Sequence, residues 1–250
     1  MRTAPGTSLI SRVTASSPPT LLALSSSSLG TKIGIPIVVS VMGYSVEEFR
    51  EVVRRLDRAR GIDGFELNLS CPNVPYGTRD EDAVRMFAHD ETLIGNVVRA
   101  VRAKTSKTVI AKLGPDVSDI GRMAKAAEKA GADAVSLINT FVAMKIDIHT
   151  RKPVLANKTG GLSGPCIRPI AVRMTWEVAQ KIKIPVIGIG GIMNAADALE
   201  FLIAGASAIQ VGTANFMNPC ASMEILEGIG DFMKKEKIRN LKEIIGAVLT

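Results

Sequence analysis

Residues 108–138 read TVIAKLGPDVSDIGRMAKAAEKAGADAVSLI and hold one complete strand–helix–strand unit. The runs Thr108–Leu113 and Ala134–Ile138 are nearly continuous apolar segments, as expected of parallel strands buried on both faces. The segment between them carries apolar residues at three- and four-residue steps, which is typical of an amphipathic helix. These residues are Val117, Ile120, Met123, Ala124 and Ala127. Gly131 suits the left-handed cap that commonly ends such a helix.

The same strand–helix rhythm runs through the chain from Ile35 onward. The other predicted strands are Ile35–Val41, Gly64–Leu69, Pro185–Ile189 and Ala208–Val211. A weak internal repeat, Ala130–Val135 against Ala204–Ile209, places a glycine between a helix end and a strand in both copies. Repeated βα units with short loops predict an α/β fold, specifically a (β/α)8 TIM barrel. Six units are clear where a closed barrel needs eight, so either the first two come from residues 1–34 or the barrel is incomplete.

A doubly wound open sheet is the alternative fold. It is disfavoured in its dinucleotide-binding form, because no G-x-G-x-x-G motif opens a helix after the first predicted strand.

The first residues differ in composition from the rest of the chain. Residues 1–34 are rich in Ser and Pro, and no Asp or Glu precedes Glu47. Such a segment has little apolar surface to bury, so we expect it to be disordered or poorly packed and predict no strand in it. The alternative is that the true beginning of the domain is missing or altered here. The predicted division is therefore residues 1–34 and a barrel over residues 35–250.

Composition excludes several classes of protein. Of 250 residues, 46% are hydrophobic and 22% charged, which is enough to build a full core. No apolar run approaches the roughly 20 residues of a membrane span. The net charge of +7 is spread along the chain, so nucleic-acid binding is not expected. Three cysteines, outside any Cys/His cluster, suit a cytoplasmic protein without a metal site.

Polar residues and glycines follow the predicted strands at their carboxyl ends, where barrel enzymes place their chemistry. Gly190 and Gly191 close one strand, and Gly212 and Thr213 close the next. Glycines there let a phosphate reach backbone N–H groups, and we favour this interpretation over simple tight turns. The glycine-rich stretch around Gly164 is equally well explained as a mobile loop.

Two further residues at these strand ends, Lys112 and Cys71, are candidates for ligand binding or catalysis. Lys112 ends an apolar strand, and a buried ammonium is costly unless it meets an anion or an electron-rich ligand atom. The alternative is a lysine that extends to solvent at the barrel rim. Cys71 lies between Asn68 and Asn73, whose amides suit a planar polar substrate. The alternative for Cys71 is a small core residue.

The motifs in combination resemble the dihydroorotate dehydrogenases over roughly residues 35–250. The matching stretches are Asn68–Asn73, Ala111–Leu113, Ser136–Thr140, Thr159–Pro165, Gly188–Ile192 and Gln210–Ala214. A cysteine at position 71 is similar to the class 1 enzymes. Two of these stretches, Ser136–Thr140 and Thr159–Pro165, look most like the NAD-linked class.

The resemblance implies FMN-dependent oxidation of (S)-dihydroorotate to orotate in pyrimidine biosynthesis. It makes Cys71 the catalytic base and assigns substrate contacts to Asn68, Asn73, Asn139 and Thr140. The implied FMN contacts are Ser40, Asn68, Lys112, Ile138, Gly164, Gly190, Gly191, Gly212 and Thr213. It also implies a homodimer and a second subunit that carries FAD and a 2Fe–2S cluster and passes electrons to NAD.

The chain departs from the family pattern upstream of Ile35, where a Lys-Gly-Thr-Thr-like strand end and an asparagine-rich substrate loop are absent. Ser40 stands where many members have asparagine. Two alternatives follow. One is a pyrimidine reductase like dihydropyrimidine dehydrogenase, and the other is a truncated, non-catalytic remnant.

Overall fold

The computed structural model describes the backbone of residues 9–14 and all atoms of residues 35–70 and 87–249. The strands in chain order are β1 (Leu9–Thr14), β2 (Ile37–Met42), β3 (Gly64–Asn68), β4 (Thr108–Leu113), β5 (Ala134–Leu137), β6 (Phe141–Ala143), β7 (Ile146–Asp147), β8 (Lys152–Pro153), β9 (Gly160–Leu162), β10 (Val186–Ile189) and β11 (Ala208–Gln210).

Seven of these strands form one parallel sheet in the order β1-β2-β3-β4-β5-β10-β11. All six strands predicted from the sequence are present, with ends shifted by a few residues. The order follows the chain without reversal, whereas a doubly wound sheet reverses at its switch point. The predicted α/β barrel class is therefore confirmed, as a partial barrel, and the open-sheet alternative is wrong. Within the described ranges, β1 and β11 have no pairing that closes the sheet.

Strand β1 corrects the prediction that residues 1–34 contain no strand. It pairs in parallel with β2, from Leu9 opposite Ile37 to Thr14 opposite Met42. Its six residues include Ile10, Val13 and Thr14, which favour strands, but the surrounding Ser- and Pro-rich composition hides this short signal. The rest of the predicted 1–34 segment lies outside the described residues.

Helices cover the outer face of the sheet. They are α1 (Val46–Leu56), α2 (Glu91–Arg102), α3 (Ile120–Lys129), α4 (Arg168–Ala179), α5 (Ala195–Ala204), α6 (Ala214–Met217) and α7 (Ala221–Lys235). Four of the helices begin at a capping side chain that accepts a hydrogen bond from a backbone N–H of the first turn. The capping residues are Ser45, Asp90, Asp119 and Asn194. Gly131 has φ +96° after α3, as predicted. None of the helices in the described part of the chain is long and apolar enough to cross a membrane.

Apolar side chains pack on both faces of the sheet, because successive residues of a strand point to opposite sides. The larger cluster lies between the sheet and the helices and includes Phe49, Phe65 and Phe201. A separate, smaller cluster lies on the inner face: Val38, Ile110, Ala134 and Ile187. The inner face therefore has an apolar layer of its own, below the carboxyl ends of the strands.

Two small antiparallel ribbons interrupt the βα rhythm between β5 and α4. Strand β6 pairs with β9, and β7 pairs with β8. They expose several large apolar side chains, among them Ile146, Ile148 and Val154.

We predict that Phe201→Ala lowers the free energy of unfolding by about 3–5 kcal/mol, because the substitution leaves a cavity in the core. Phe201 is 0% exposed, and its ring lies against Gly188 of β10. The matched control is Phe216→Ala, since Phe216 is 91% exposed and its truncation leaves the core intact. Urea unfolding of both variants checks this, and an equal loss in the two would contradict the packing described.

Candidate active site

A buried carboxylate lies on the inner face, one step toward the carboxyl ends from the apolar layer. Glu66 of β3 is 1% exposed. Its Oε2 accepts hydrogen bonds from Ser136 Oγ at 3.0 Å and from Gln210 Nε2 at 2.7 Å. Its Oε1 lies 3.5 Å from Lys112 Nζ. Sequence reasoning missed Glu66, Ser136 and Gln210 as site residues.

The Glu66–Gln210 hydrogen bond shows how strongly the sheet curls. Gln210 lies on β11, four strands away from β3 in the sheet. In a flat sheet that separation is about 19 Å, at roughly 4.8 Å per strand. A side-chain contact of 2.7 Å across it requires that the two strands face each other over the barrel interior.

Lys112 has its charge inside the barrel. Its side chain is 13% exposed, and its ammonium faces Glu66. The ammonium therefore has an anionic partner within the chain itself, and the ligand contact expected of Lys112 stays a prediction. The alternative of a lysine extended into solvent at the rim is wrong.

An amide cluster lies above this ion pair at the strand ends. Asn139 Nδ2 donates to Asn68 Oδ1 at 2.9 Å, to the Ser70 carbonyl oxygen at 2.8 Å and to Ser70 Oγ at 2.9 Å. Asn139 Oδ1 accepts from the Thr140 backbone N–H at 2.9 Å. Asn68, Ser70 and Asn139 are buried, and Thr140 is half-buried. The structure thus brings together three of the predicted site residues, with Ser70 as a fourth that the sequence did not single out.

Ser40 lies on β2 at the level of Glu66. It is buried and stands opposite Glu66 in the β2–β3 register.

The glycine turns meet beside these polar layers. Gly164, Gly190 and Gly191 have φ values of +96°, +134° and +73°. A Cβ atom on Gly191 would lie 2.6 Å from the Gly164 carbonyl oxygen, so the two turns are in direct contact. A Cβ atom on Gly190 would lie 3.5 Å from Cγ1 of Ile138. Gly164 therefore belongs to the same group of turns as Gly190 and Gly191.

Gly212 and Thr213 lie on the other side of this group. Thr213 Oγ1 donates to Ser163 Oγ at 2.8 Å, which ties the end of β11 to the Gly164 turn. A Cβ atom on Gly212 would have no neighbour within 4 Å. The backbone at Gly212 therefore borders open space.

A second ion pair, which the sequence analysis missed, holds the turns in place. Arg168, at the start of α4, pairs with the buried Asp197 of α5. Asp197 Oδ2 also accepts from the Met193 backbone N–H at 2.9 Å. The pair thereby links α4 to the loop that follows Gly191. No short sequence motif identifies such a contact, because its partners are 29 residues apart.

Cys71 and Asn73 lie outside the described residues, and their roles stay predictions. Ser70, the last described residue before them, is within the amide cluster. Within residues 35–70 and 87–249, no group of three His, Cys, Asp or Glu side chains could hold a metal ion.

The arrangement suits a planar ligand that carries a distant anion. Buried amides and an ion pair recognise polar ring atoms, while the glycine turns offer backbone N–H groups to an anionic group.

Comparison with known proteins gives a consistent family. The family model described as "Dihydroorotate dehydrogenase" matches residues 19–233. The chain is 51% identical over 213 residues to "Dihydroorotate dehydrogenase B (NAD(+)), catalytic subunit" of Geotalea daltonii, which covers 85% of this chain and 68% of the relative. It is 50% identical over 216 residues to the protein of the same name from Trichlorobacter lovleyi, covering 86% and 69%. The relative of that name from Lachnoclostridium phytofermentans is 50% identical over 212 residues, covering 85% and 68%.

We predict that Gly191→Ala lowers the free energy of unfolding by about 1–3 kcal/mol. The strain comes from φ +73° together with the contact between a new Cβ atom and the Gly164 carbonyl oxygen. Gly230→Ala is the matched control, because Gly230 lies inside α7 and a Cβ atom there meets nothing within 4 Å. The control is expected to gain about 0.5–1 kcal/mol from reduced backbone entropy of the unfolded chain. Urea unfolding measures both; a neutral Gly191→Ala would show that the turns do not touch.

Proposed function

The chain belongs to the dihydroorotate dehydrogenase family, in the class of the NAD-linked catalytic subunits, and on that premise we propose that it binds FMN and oxidises (S)-dihydroorotate to orotate. As a member of this family it is an oxidoreductase acting on a CH–CH group. The observation that carries the proposal is the convergence of the buried Lys112, the Asn68–Asn139 amide cluster and the glycine turns at one edge of the sheet.

The residues present fit FMN. The open space at Gly212, with the turns at Gly164, Gly190 and Gly191, supports a site for the ribityl phosphate, assisted by the Thr213 hydroxyl. The buried Lys112 ammonium supports contact with the electron-rich carbonyl edge of the flavin ring.

The flavin ring also needs apolar and polar neighbours. Ile138, next to Gly190, would line one face of the ring, while Ser40 and Asn68 would offer polar contacts. When bound, FMN would supply a two-electron acceptor for the hydrogen at C6 of dihydroorotate, chemistry that no side chain provides.

The asparagine side chains and Thr140 would bind the substrate. Asn68, Asn73, Asn139 and Thr140 would orient the carboxylated pyrimidine ring through donors and acceptors in its plane. The Asn139–Asn68 hydrogen bond limits rotation of both side chains, which favours a single substrate pose. Cys71, directly after Ser70 in the sequence, would take the proton from C5.

We further propose that the electrons reach NAD through a separate subunit carrying FAD and a 2Fe–2S cluster. The names of the relatives support this, since they specify both NAD(+) and a catalytic subunit. The apolar side chains exposed on β7 and around β8, including Ile146, Ile148 and Val154, support contact with another protein chain. We propose a homodimer, a role in pyrimidine biosynthesis and a cytoplasmic location on the same family grounds.

The central prediction is that the purified chain retains FMN and that dihydroorotate bleaches the flavin absorption without oxygen. Cys71→Ala is expected to slow this bleaching about 10²–10⁴-fold, the usual contribution of a positioned base. Stopped-flow absorption at the visible flavin band measures it.

Ligand competition separates the alternatives in the same experiment. Orotate is expected to block bleaching, and uracil is not. Protection by uracil instead would favour a reductase like dihydropyrimidine dehydrogenase. Failure to retain flavin would overturn the enzymatic proposal for this chain and favour the non-catalytic remnant.

A second prediction concerns the phosphate site. Gly212→Ala is expected to weaken FMN binding about tenfold, since a methyl group there would occupy the space left for the ligand and overpacking costs about 1–3 kcal/mol. The free protein should lose no stability, because the same methyl group meets no atom of the chain. Quenching of FMN fluorescence measures the dissociation constant, with Gly230→Ala as the control; equal affinities in all three proteins would place the phosphate elsewhere.

A further inference from the structure

Glu66 is the most deeply buried acidic side chain of the site, and the proposed function gives it no role. We propose that Glu66 is a positioning residue that fixes the Lys112 ammonium and offsets part of its charge, and thereby sets the electron affinity of the flavin. This inference rests on the proposed function, because it requires that FMN bind against Lys112.

The contacts of Glu66 divide its two oxygens between two tasks. Oε2 accepts from the neutral donors Ser136 Oγ and Gln210 Nε2, at 3.0 Å and 2.7 Å. Oε1 faces Lys112 Nζ at 3.5 Å. Two hydrogen bonds on one oxygen restrict rotation of the carboxylate, so its other oxygen stays directed at the ammonium.

The Glu66–Lys112 pair is not a surface ion pair. A surface ion pair is screened by water and salt and contributes little, whereas these side chains are 1% and 13% exposed. In such surroundings the charge of one partner acts strongly on its neighbours. A lysine buried without a counter-ion would present its full charge to whatever ring binds beside it.

The sign of the effect on a bound flavin follows from this charge balance. Reduction adds negative charge to the flavin ring, and a nearby ammonium favours it. Glu66 opposes that influence. Glu66→Gln keeps the shape of the side chain and an acceptor oxygen but removes the negative charge, so reduced FMN should bind more tightly relative to oxidised FMN.

The test is a double-substitution cycle on the FMN-loaded full chain, with the flavin midpoint potential measured by equilibration with a reference dye. In Glu66→Gln, the ratio of the dissociation constants of reduced to oxidised FMN should fall about tenfold, equivalent to a midpoint potential higher by about 30 mV for a two-electron couple. Lys112→Met should lower the potential. In the Lys112→Met background, Glu66→Gln should shift the potential less than in the wild type, because the part of its effect that passes through the position of the ammonium is lost.

Two further variants keep the test decisive. Asp57→Asn is a matched carboxylate-to-amide change elsewhere, where Asp57 Oδ1 accepts from Thr105 Oγ1 at 2.5 Å; it should leave the potential unchanged. If Glu66→Gln does not fold, Glu66→Asp replaces it. That variant keeps the charge but withdraws it from Lys112 by one methylene, and a smaller rise in potential is expected.

The outcomes separate the two proposals. A wild-type chain that binds no FMN overturns the proposed function and this inference together. A wild-type chain that binds FMN, with a potential unaltered by Glu66→Gln, overturns this inference alone. The same holds if the shift is undiminished in the Lys112→Met background, since Glu66 would then act independently of the lysine.

Discussion

The carboxylate of Glu66 joins four strands of one sheet through three contacts, to Lys112, Ser136 and Gln210. A buried carboxylate without partners is strongly unfavourable, so these donors must all lie within reach of one point in the barrel interior. That condition can be met only if β11 faces β3, which a flat sheet does not allow. The polar layer can therefore form only in the curved sheet. The candidate site depends on both.

The inner face changes in polarity in steps along the strands. Val38, Ile110 and Ala134 form its apolar floor. Two residues further along, about 6.6 Å at the rise of a strand, come Ser40, Lys112 and Ser136, and beside them Glu66. The next step brings Asn68, and beyond it lies the amide cluster with Asn139. Every second residue of each strand thus points inward, which places apolar residues below the charges and the amide cluster above them.

Features that depend on a local sequence pattern, such as the strands, could be predicted. Contacts between residues far apart in the sequence could not. Six strands were recognisable because parallel strands buried on both faces read as continuous apolar runs. Lys112 stood out because it interrupts such a run at its end. Glu66 interrupts its strand in the same way, two residues before Asn68 on the same face, and that signal could have been used. Its partner Gln210 is 144 residues away, and no local pattern reports that contact.

The remaining differences have similar causes. Strand β1 was hidden because six residues carry too little periodicity against a Ser- and Pro-rich background. The grouping of Gly164 with Gly190 and Gly191 could be expected from the family resemblance. The Arg168–Asp197 pair that supports the group could not, because it joins two helices through their packing. Cys71 and Asn73 lie outside the described residues and stay predictions.

One half of the candidate site is formed by backbone and the other by side chains, so substitutions can affect the two halves separately. The proposed anion-binding half consists of backbone at Gly164, Gly191 and Gly212, which the Arg168–Asp197 pair supports. The proposed ring-binding half consists of buried side chains, namely the charged pair Glu66–Lys112 and the Asn68–Asn139 amides. Under the proposed function, affinity for an anionic cofactor and the electronic properties of its ring would therefore depend on separate sets of residues. A substitution such as Glu66→Gln can change the second while the glycine turns preserve the first, which is the physical basis for treating Glu66 as a residue that adjusts reactivity.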